Sequence, residues 1–295
     1  MTAATGRGVT LPVAALIINA AVWGMSWWPF RELQSLGLHP LWSTALIYFF
    51  SLACIVLWQP AAWRNFARYP QLWLLALAAG LTNVGFNWAV TVGDVVRVVL
   101  LFYLMPAWSV LLAWAVLGEK PTRASLLRLL LAMAGVLIVL KAPDSPWPVP
   151  QGIADWLALM GGVSFAATNV LLRKLEYTPS AARMLAMFGG GAVLASAAAL
   201  LGLAGGIVSA PVWTLASLPV ALGLALAFLV SNVALQYGAA RLAASTTALV
   251  MLTEILFASL SAAALGAAEF SPRTLLGGSL IVLAALLAAM APTRK

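Results

Sequence analysis

Charge is scarce in this chain of 295 residues: 8% are Asp, Glu, Lys or Arg, against 63% hydrophobic. A soluble domain carries about 25% charged residues. With so little polar material the chain cannot cover itself in water, and the bilayer is left as its solvent. There is one cysteine, Cys54, inside an apolar run, so no disulfide framework is available. The single histidine, His39, excludes His-based triads and zinc clusters. In the short connection LGLHPLW it reads as a solvated loop residue. No GxxxxGK[ST] phosphate loop occurs. Neither a metal nor a cofactor is expected. The net charge of +8 comes from 16 Lys and Arg scattered along the chain, not gathered on one face, so no nucleic-acid partner is expected.

What the chain has in abundance is apolar runs. Ten candidate spans cover 11–30, 41–59, 71–92, 95–117, 126–140, 153–172, 184–208, 216–237, 243–266 and 274–291. Most approach the roughly 20 residues that a helix needs to cross the hydrocarbon core. The fifth is short and has Arg128 near its start, whose head can snorkel to the interface. The run 11–30 exceeds the roughly 7–15 residues of a signal-peptide core and reads as a retained helix.

Basic residues set the direction. With the N-terminus inside, the inner segments hold Arg7, Arg64, Arg68, Lys120, Arg123, Arg128, Arg173, Lys174, Arg183, Arg241, Arg294 and Lys295. The outer segments hold only Arg31, Arg97, Lys141 and Arg273. The positive-inside rule therefore predicts both termini in the cytoplasm. Trp58, Trp63, Trp73, Trp147, Trp156 and Trp213 fall near span ends, where an aromatic belt forms.

The proline-rich stretch KAPDSPWPVPQG (141–152) divides the ten helices into five plus five. Five is odd, so the second group enters the membrane from the opposite side; related halves would be inverted repeats, as in many secondary transporters. With 103–118 laid over 251–266, Leu104, Leu112, Ala115, Leu117 and Gly118 agree with Leu252, Leu260, Ala263, Leu265 and Gly266. Echoes follow in the same order: GMSW (24–27) with GVSF (162–165), NVGFNW (83–88) with SNVALQY (231–237). The expected fold is an all-α integral membrane protein: ten transmembrane helices as two inverted five-helix repeats around a central cavity. Its divisions are a cytoplasmic segment 1–10, a first repeat 11–140, an extracytoplasmic linker 141–152, a second repeat 153–291 and a cytoplasmic tail 292–295.

The run LFYLMPAWSVLLAWAVLGEKPT, with an Asn-bearing third span before it and a glycine-containing fifth after it, resembles the EamA-type branch of the drug/metabolite transporter superfamily. Within that superfamily the opening NAAVWGMSWWPFRELQSLGLHPLW looks most like the aromatic amino acid exporters. Two departures stand out. Where the family often places Glu and Pro together in a fourth helix, the first half keeps Pro106 without Glu and the second keeps Glu254 without Pro. The second half also reads LGAAE, which displaces Glu269. Pro106 is expected to kink its helix by removing one backbone hydrogen bond.

Polar groups at mid-depth mark the expected substrate site, since each is costly unless paired. Asn19, Trp23, Ser26, Trp27 and Phe30 fall at i, i+4, i+7, i+8 and i+11, one helical face. Asn83, Phe86 and Asn87 share a face of the third span, and Tyr103 comes from the fourth. The second half offers Ser164, Thr168, Asn169, Asn232, Gln236 and Met251. Amides and hydroxyls can bind an ammonium or carboxylate, and aromatic faces can stack on a ring; the same groups can instead glue helices together. Glu254 is the only acid near mid-span, open to two roles: proton coupling or amine binding, and a neutral structural acid. The glycines at 161–162, 189–191, 202 and 206 read as packing positions.

These features predict a secondary transporter of the bacterial inner membrane that exports amino acids or similar small amphipathic metabolites. No Lys or Arg lies at mid-depth, which disfavours nucleotide-sugar exchange; drug export by the same fold is a further alternative. A membrane-embedded transferase would need clustered acid/base groups, and a channel a filter or charge ring; neither pattern is present. Substrate and lipid are the expected partners, and a monomer suffices for one pathway. Replacing Cys54 with Ser gives a cysteine-free chain on which orientation can be read. A cysteine at position 35 should react with a membrane-impermeant maleimide in intact cells, and one at position 67 only after permeabilisation; the opposite pattern overturns the orientation.

Overall fold

Hydrocarbon offers the backbone no water, so a long apolar run satisfies its own N–H and C=O groups by coiling into a helix. The computed structural model describes residues 4–93, 95–141, 150–267 and 271–291. Most of the 141–152 linker with Trp147, the acid Glu269 and the tail 292–295 lie outside them. Ten candidate membrane-spanning helices result, with no strand among the described residues. The first span joins α1 (Ala4–Met25) to α2 (Trp27–Ser35); α3 (Pro40–Trp58) follows, then a short helix α4 (Ala61–Arg68) and α5 (Leu72–Val92). The fourth span is α6 (Val95–Phe102) plus α7 (Met105–Leu117), the fifth α8 (Arg123–Leu140). Then come α9 (Ile153–Lys174), α10 (Ser180–Ala204) and α11 (Ser217–Ala239), the broken pair α12 (Ala244–Met251) and α13 (Glu254–Ala264), and α14 (Pro272–Ala289).

Three spans are interrupted. In the fourth, the helix stops at Phe102 and restarts at Met105, so Pro106 sits in the first turn of α7. There its missing N–H is one that a helix start leaves unpaired anyway; the expected kink is a clean break two residues earlier. The ninth breaks at Leu252–Thr253 without a proline. The Thr253 hydroxyl donates to the Val250 carbonyl at 2.7 Å, a local bond that competes with the helical ladder. The first span breaks at Ser26, whose hydroxyl donates to the Trp23 carbonyl at 2.7 Å.

The run LGEKPT ends α7 by backbone geometry. Gly118 takes φ +71°, and the Glu119 N–H reaches back to the Ala113 carbonyl at 3.2 Å. Thr122 and Ser125 then exchange side-chain-to-backbone bonds in a capping box that opens α8. The cap starts the fifth span at Arg123, three residues before the expected 126–140.

Other expectations shift as well. The seventh helix is Ser180–Ala204 where 184–208 was expected, because Pro179 supplies its N-cap. Arg183, read as part of a connection, therefore lies inside the helix and is only 7% exposed. His39 is a half-buried N-cap of α3, its Nδ1 accepting from the Leu41 N–H at 3.3 Å. Burial lowers its pKa, which keeps the ring in the neutral form that can accept that bond.

Helices approach closely where glycine removes side chains. A Cβ on Gly190 of α10 would lie 2.0 Å from the Ala76 carbonyl of α5, and Gly80 meets the Gly190 carbonyl from the other side. Gly162 of α9 abuts the Phe102 carbonyl, and Gly135 with Gly277 brings α8 against α14. Gly206 differs from its expected packing role: it adopts φ +69° in the turn after α10, with open space around it. Among the tryptophans read as a belt, Trp58, Trp63, Trp73, Trp156 and Trp213 are mostly exposed. Gly190→Ala should lower stability by about 1–3 kcal/mol in detergent unfolding, because backbone must move. Gly223→Ala, where nothing lies within 4 Å, is the control and should be neutral or slightly stabilising.

Candidate functional site

A central cavity of about 80 Å³ forms where the interrupted spans meet. Pockets that enclose drug-sized ligands run to about 300–1,000 Å³, so this one is constricted. Helix α1 contributes Asn19 and Trp23; α5 contributes Thr82, Asn83, Phe86 and Asn87. Phe165 and Thr168 come from α9, Phe228 and Asn232 from α11. Phe102, Met251 and Glu254 stand at the two mid-membrane breaks. Glu254 is the first residue of α13, where unpaired N–H groups and the helix dipole favour a carboxyl group.

The walls are aromatic. Trp23 stacks on Phe228 with centroids 4.4 Å apart, and Tyr48 of α3 meets the edge of Phe188 of α10 at 5.1 Å. On the other side Phe86 lies 4.8 Å from Phe102, and Phe165 lies 6.0 Å from it. The amides between them are individually anchored. The Tyr48 hydroxyl donates to Asn83 Oδ1 at 2.8 Å while Asn83 Nδ2 donates to the Ala79 carbonyl. Asn87 Nδ2 donates to the Thr44 hydroxyl at 2.6 Å, and Asn19 Nδ2 to the Ser231 carbonyl at 2.9 Å.

Of the residues singled out from sequence, Asn19, Trp23, Asn83, Phe86, Asn87, Thr168, Asn232, Met251 and Glu254 line this cavity. Seven others lie outside its lining, Ser26 and Phe30 among them. The Trp27 indole donates to the Ser261 hydroxyl at 2.9 Å, tying α2 to α13. Tyr103 is buried behind Phe102, its ring 5.7 Å away edge-on, and its hydroxyl donates to the Glu254 carboxyl group of the cavity. The Ser164 carbonyl accepts from Thr168, and Gln236 donates to Asn232 at 2.7 Å as a second layer. Asn169 is fully buried, with neither amide atom paired among the described residues. Sequence reasoning missed Tyr48, Met187, Phe188 and Phe228, because an aromatic or Met in an apolar span looks the same facing lipid or protein. The only available signal was the Tyr48 hydroxyl, a polar handle that needs a partner when buried.

A second, wider space of about 820 Å³ lies among the ends of α7, α9 and α14 and the starts of α8 and α12. Glu119 closes one of its sides. Its carboxylate pairs with Arg173 at 3.0 Å and accepts the Ala244 N–H at 3.3 Å, while Arg173 also donates to the Ala240 carbonyl. Nearby, α7, α9 and α12 meet at a cluster of Ala113, Val170 and Ala244. On the same three helices Ser109, Asn169 and Thr247 are fully buried with side-chain polar atoms unpaired among the described residues. At the opposite end of α9, Arg97 pairs with Asp155 at 2.9 Å.

Fold and cavity together define a multi-pass helical membrane protein built around a small polar-aromatic chamber. Residues 10–141 match the EamA-like transporter family. Protein RarD of Salmonella typhi is 28% identical over 190 residues, which cover 60% of this chain and 63% of that protein's length. Protein RarD of Streptomyces exfoliatus is 27% identical over 165 residues, 52% of this chain and 49% of that one. A protein of known crystal structure superposes with a TM-score of 0.76 at 17% identity, over 96% of this chain and 97% of its own. The family match covers less than half of the chain, and the match to the crystal structure shows the fold alone. Within the site, Tyr48→Phe leaves Asn83 Oδ1 without its donor and should lower unfolding stability by about 1–3 kcal/mol; an unchanged midpoint would mean that another group supplies the bond.

Proposed function

We propose that this chain is a secondary transporter that exports small amphipathic metabolites, foremost amino acids with aromatic or apolar side chains, across a bacterial inner membrane. The carrying observation is the chamber: aromatic walls, amide and hydroxyl groups, one carboxyl group and no basic residue in its lining. An apolar side chain fits such walls, and the polar groups can hold an ammonium and a carboxylate. A nucleotide sugar or another phosphate ester would call for cationic partners that the lining lacks. The resemblance of the opening segment to YddG-type aromatic amino acid exporters points the same way.

Alternating access is the proposed mechanism, with 11–140 and 153–291 as inverted repeats and both termini cytoplasmic. Support comes from the two aligned runs: both break, at Tyr103–Leu104 and at Leu252–Thr253, and both end near a positive-φ glycine, Gly118 and Gly266. The chamber and the wider space beside Glu119 would be successive stations on one path. A single chain holds every group invoked, so a monomer suffices. Drug export by the same fold is the second reading, favoured only by the apolar character of the walls.

Liposomes containing only this protein should move labelled Trp, Phe and Met faster than empty vesicles, and a nucleotide sugar no faster. Movement of the nucleotide sugar alone overturns the substrate class. With an imposed proton gradient the same assay assigns Glu254. Transport that needs the gradient and loses that need in Glu254→Gln makes it the coupling group; gradient-independent transport that Glu254→Gln weakens makes it amine-binding, and transport indifferent to both makes it structural.

A further inference from the structure

The hydrogen-bonding sense of the chamber is set from outside it. Arg183 is buried in the first turn of α10, where its Nη1 donates to the carbonyls of Leu175, Glu176 and Thr178. Its Nε donates to Gln236 Oε1 at 3.0 Å. Gln236 Nε2 in turn donates to Asn232 Oδ1 at 2.7 Å, and Asn232 Nδ2 reaches Met187 Sδ at 3.3 Å. A guanidinium has donors only. It accepts one orientation of the Gln236 amide, oxygen toward Arg183. The Gln236 nitrogen then accepts one orientation of Asn232, oxygen toward Gln236 and nitrogen toward the chamber. A thioether is a weak acceptor, so the Asn232 N–H groups retain capacity for a stronger one.

At the α1 edge the sense is reversed. Asn19 commits its amide hydrogens to the carbonyl and hydroxyl of Ser231, and its Oδ1 is buried with no partner among the described residues. Glu254, which accepts the Tyr103 hydroxyl with one of its lone pairs, adds a second acceptor to the lining through the others. We infer that Arg183 is a positioning residue whose relay through Gln236 makes Asn232 the subsite for the carboxylate of a bound zwitterion, with Asn19 and Glu254 receiving its ammonium group. This rests on the amino acid reading above.

Gln236→Glu tests the relay by reversing it. The new carboxylate still pairs with Arg183 but has no hydrogen for Asn232 Oδ1, so the Asn232 amide turns and shows its oxygen to the chamber. In proteoliposomes supplied with L-phenylalanine or 2-phenylethylamine, the wild type should favour the amino acid. Gln236→Glu should cut the ratio of kcat/KM for the two about tenfold or more, mainly through KM. Gln236→Met, which cuts the relay without reversing it, should lower the ratio less and serves if the first variant does not fold. A folded variant with an unchanged ratio overturns the assignment.

If the wild type moves neither probe, the transport reading fails and the relay is judged without it. The side-chain amide resonances of Asn232, identified by their loss in Asn232→Asp, should shift in the Gln236 variants and in Arg183→Lys. Resonances that stay in place overturn the relay.

Discussion

A chain that crosses hydrocarbon must bond its backbone to itself, and each peptide left unpaired there costs several kcal/mol. The structure gives up helical bonds inside three spans, and the surroundings of the breaks differ. At Ser26 and Thr253 the side-chain hydroxyl returns to a carbonyl three residues back. At Phe102 the carbonyl that Pro106 cannot serve lies against Gly162, where the lack of a side chain lets another helix come close. All three breaks abut the chamber through Trp23, Phe102 and the Met251–Glu254 segment. The cavity exists because these helices stop and restart at mid-depth, which turns backbone and side chains toward a common centre.

Around that centre the contacts differ in strength. Glycine-mediated crossings such as Gly80 with Gly190 fix α5 against α10 with little room to slide. The fourth span and α9 pack closely at Phe102 and Gly162 and carry one ion pair at each end: Arg97 with Asp155, and Glu119 with Arg173. Arg173 and Glu119 are each more than a quarter exposed, and pairs of that kind contribute only about 0–1 kcal/mol. Such contacts set a register yet release easily.

The number of spans was legible because length and apolarity are properties of the sequence itself. So was much of the chamber: a buried amide in an apolar helix has few explanations, and Asn19, Asn83, Asn87 and Asn232 all reach the cavity. Where reasoning fell short, the missing information was the neighbour. Trp27 shares the helical stripe of Asn19 and Trp23, but the break at Ser26 rotates it toward Ser261. The ninth span carries no proline to announce its interruption; a threonine hydroxyl makes it. Arg183 looked like a loop cation because charge counts treat every arginine near a span end alike. Its burial depends on carbonyls and a glutamine that only the folded chain assembles.

The unpaired atoms of Ser109, Asn169 and Thr247 bear on the same issue. Each is fully buried, Ser109 on α7, Asn169 on α9 and Thr247 on α12. An unsatisfied buried donor or acceptor costs about 1–3 kcal/mol, so the four such atoms without a partner among the described residues weaken this arrangement of the helices. On the proposed function the cost has a direction: it is relieved when the three helices part and water or substrate enters between them. On the proposed reading this seam separates the chamber from the wider space beside Glu119, so what destabilises the closed seam lowers the energy of opening it. Two conformations of comparable energy are what alternating access requires, and a fully satisfied seam would hold the protein in one of them.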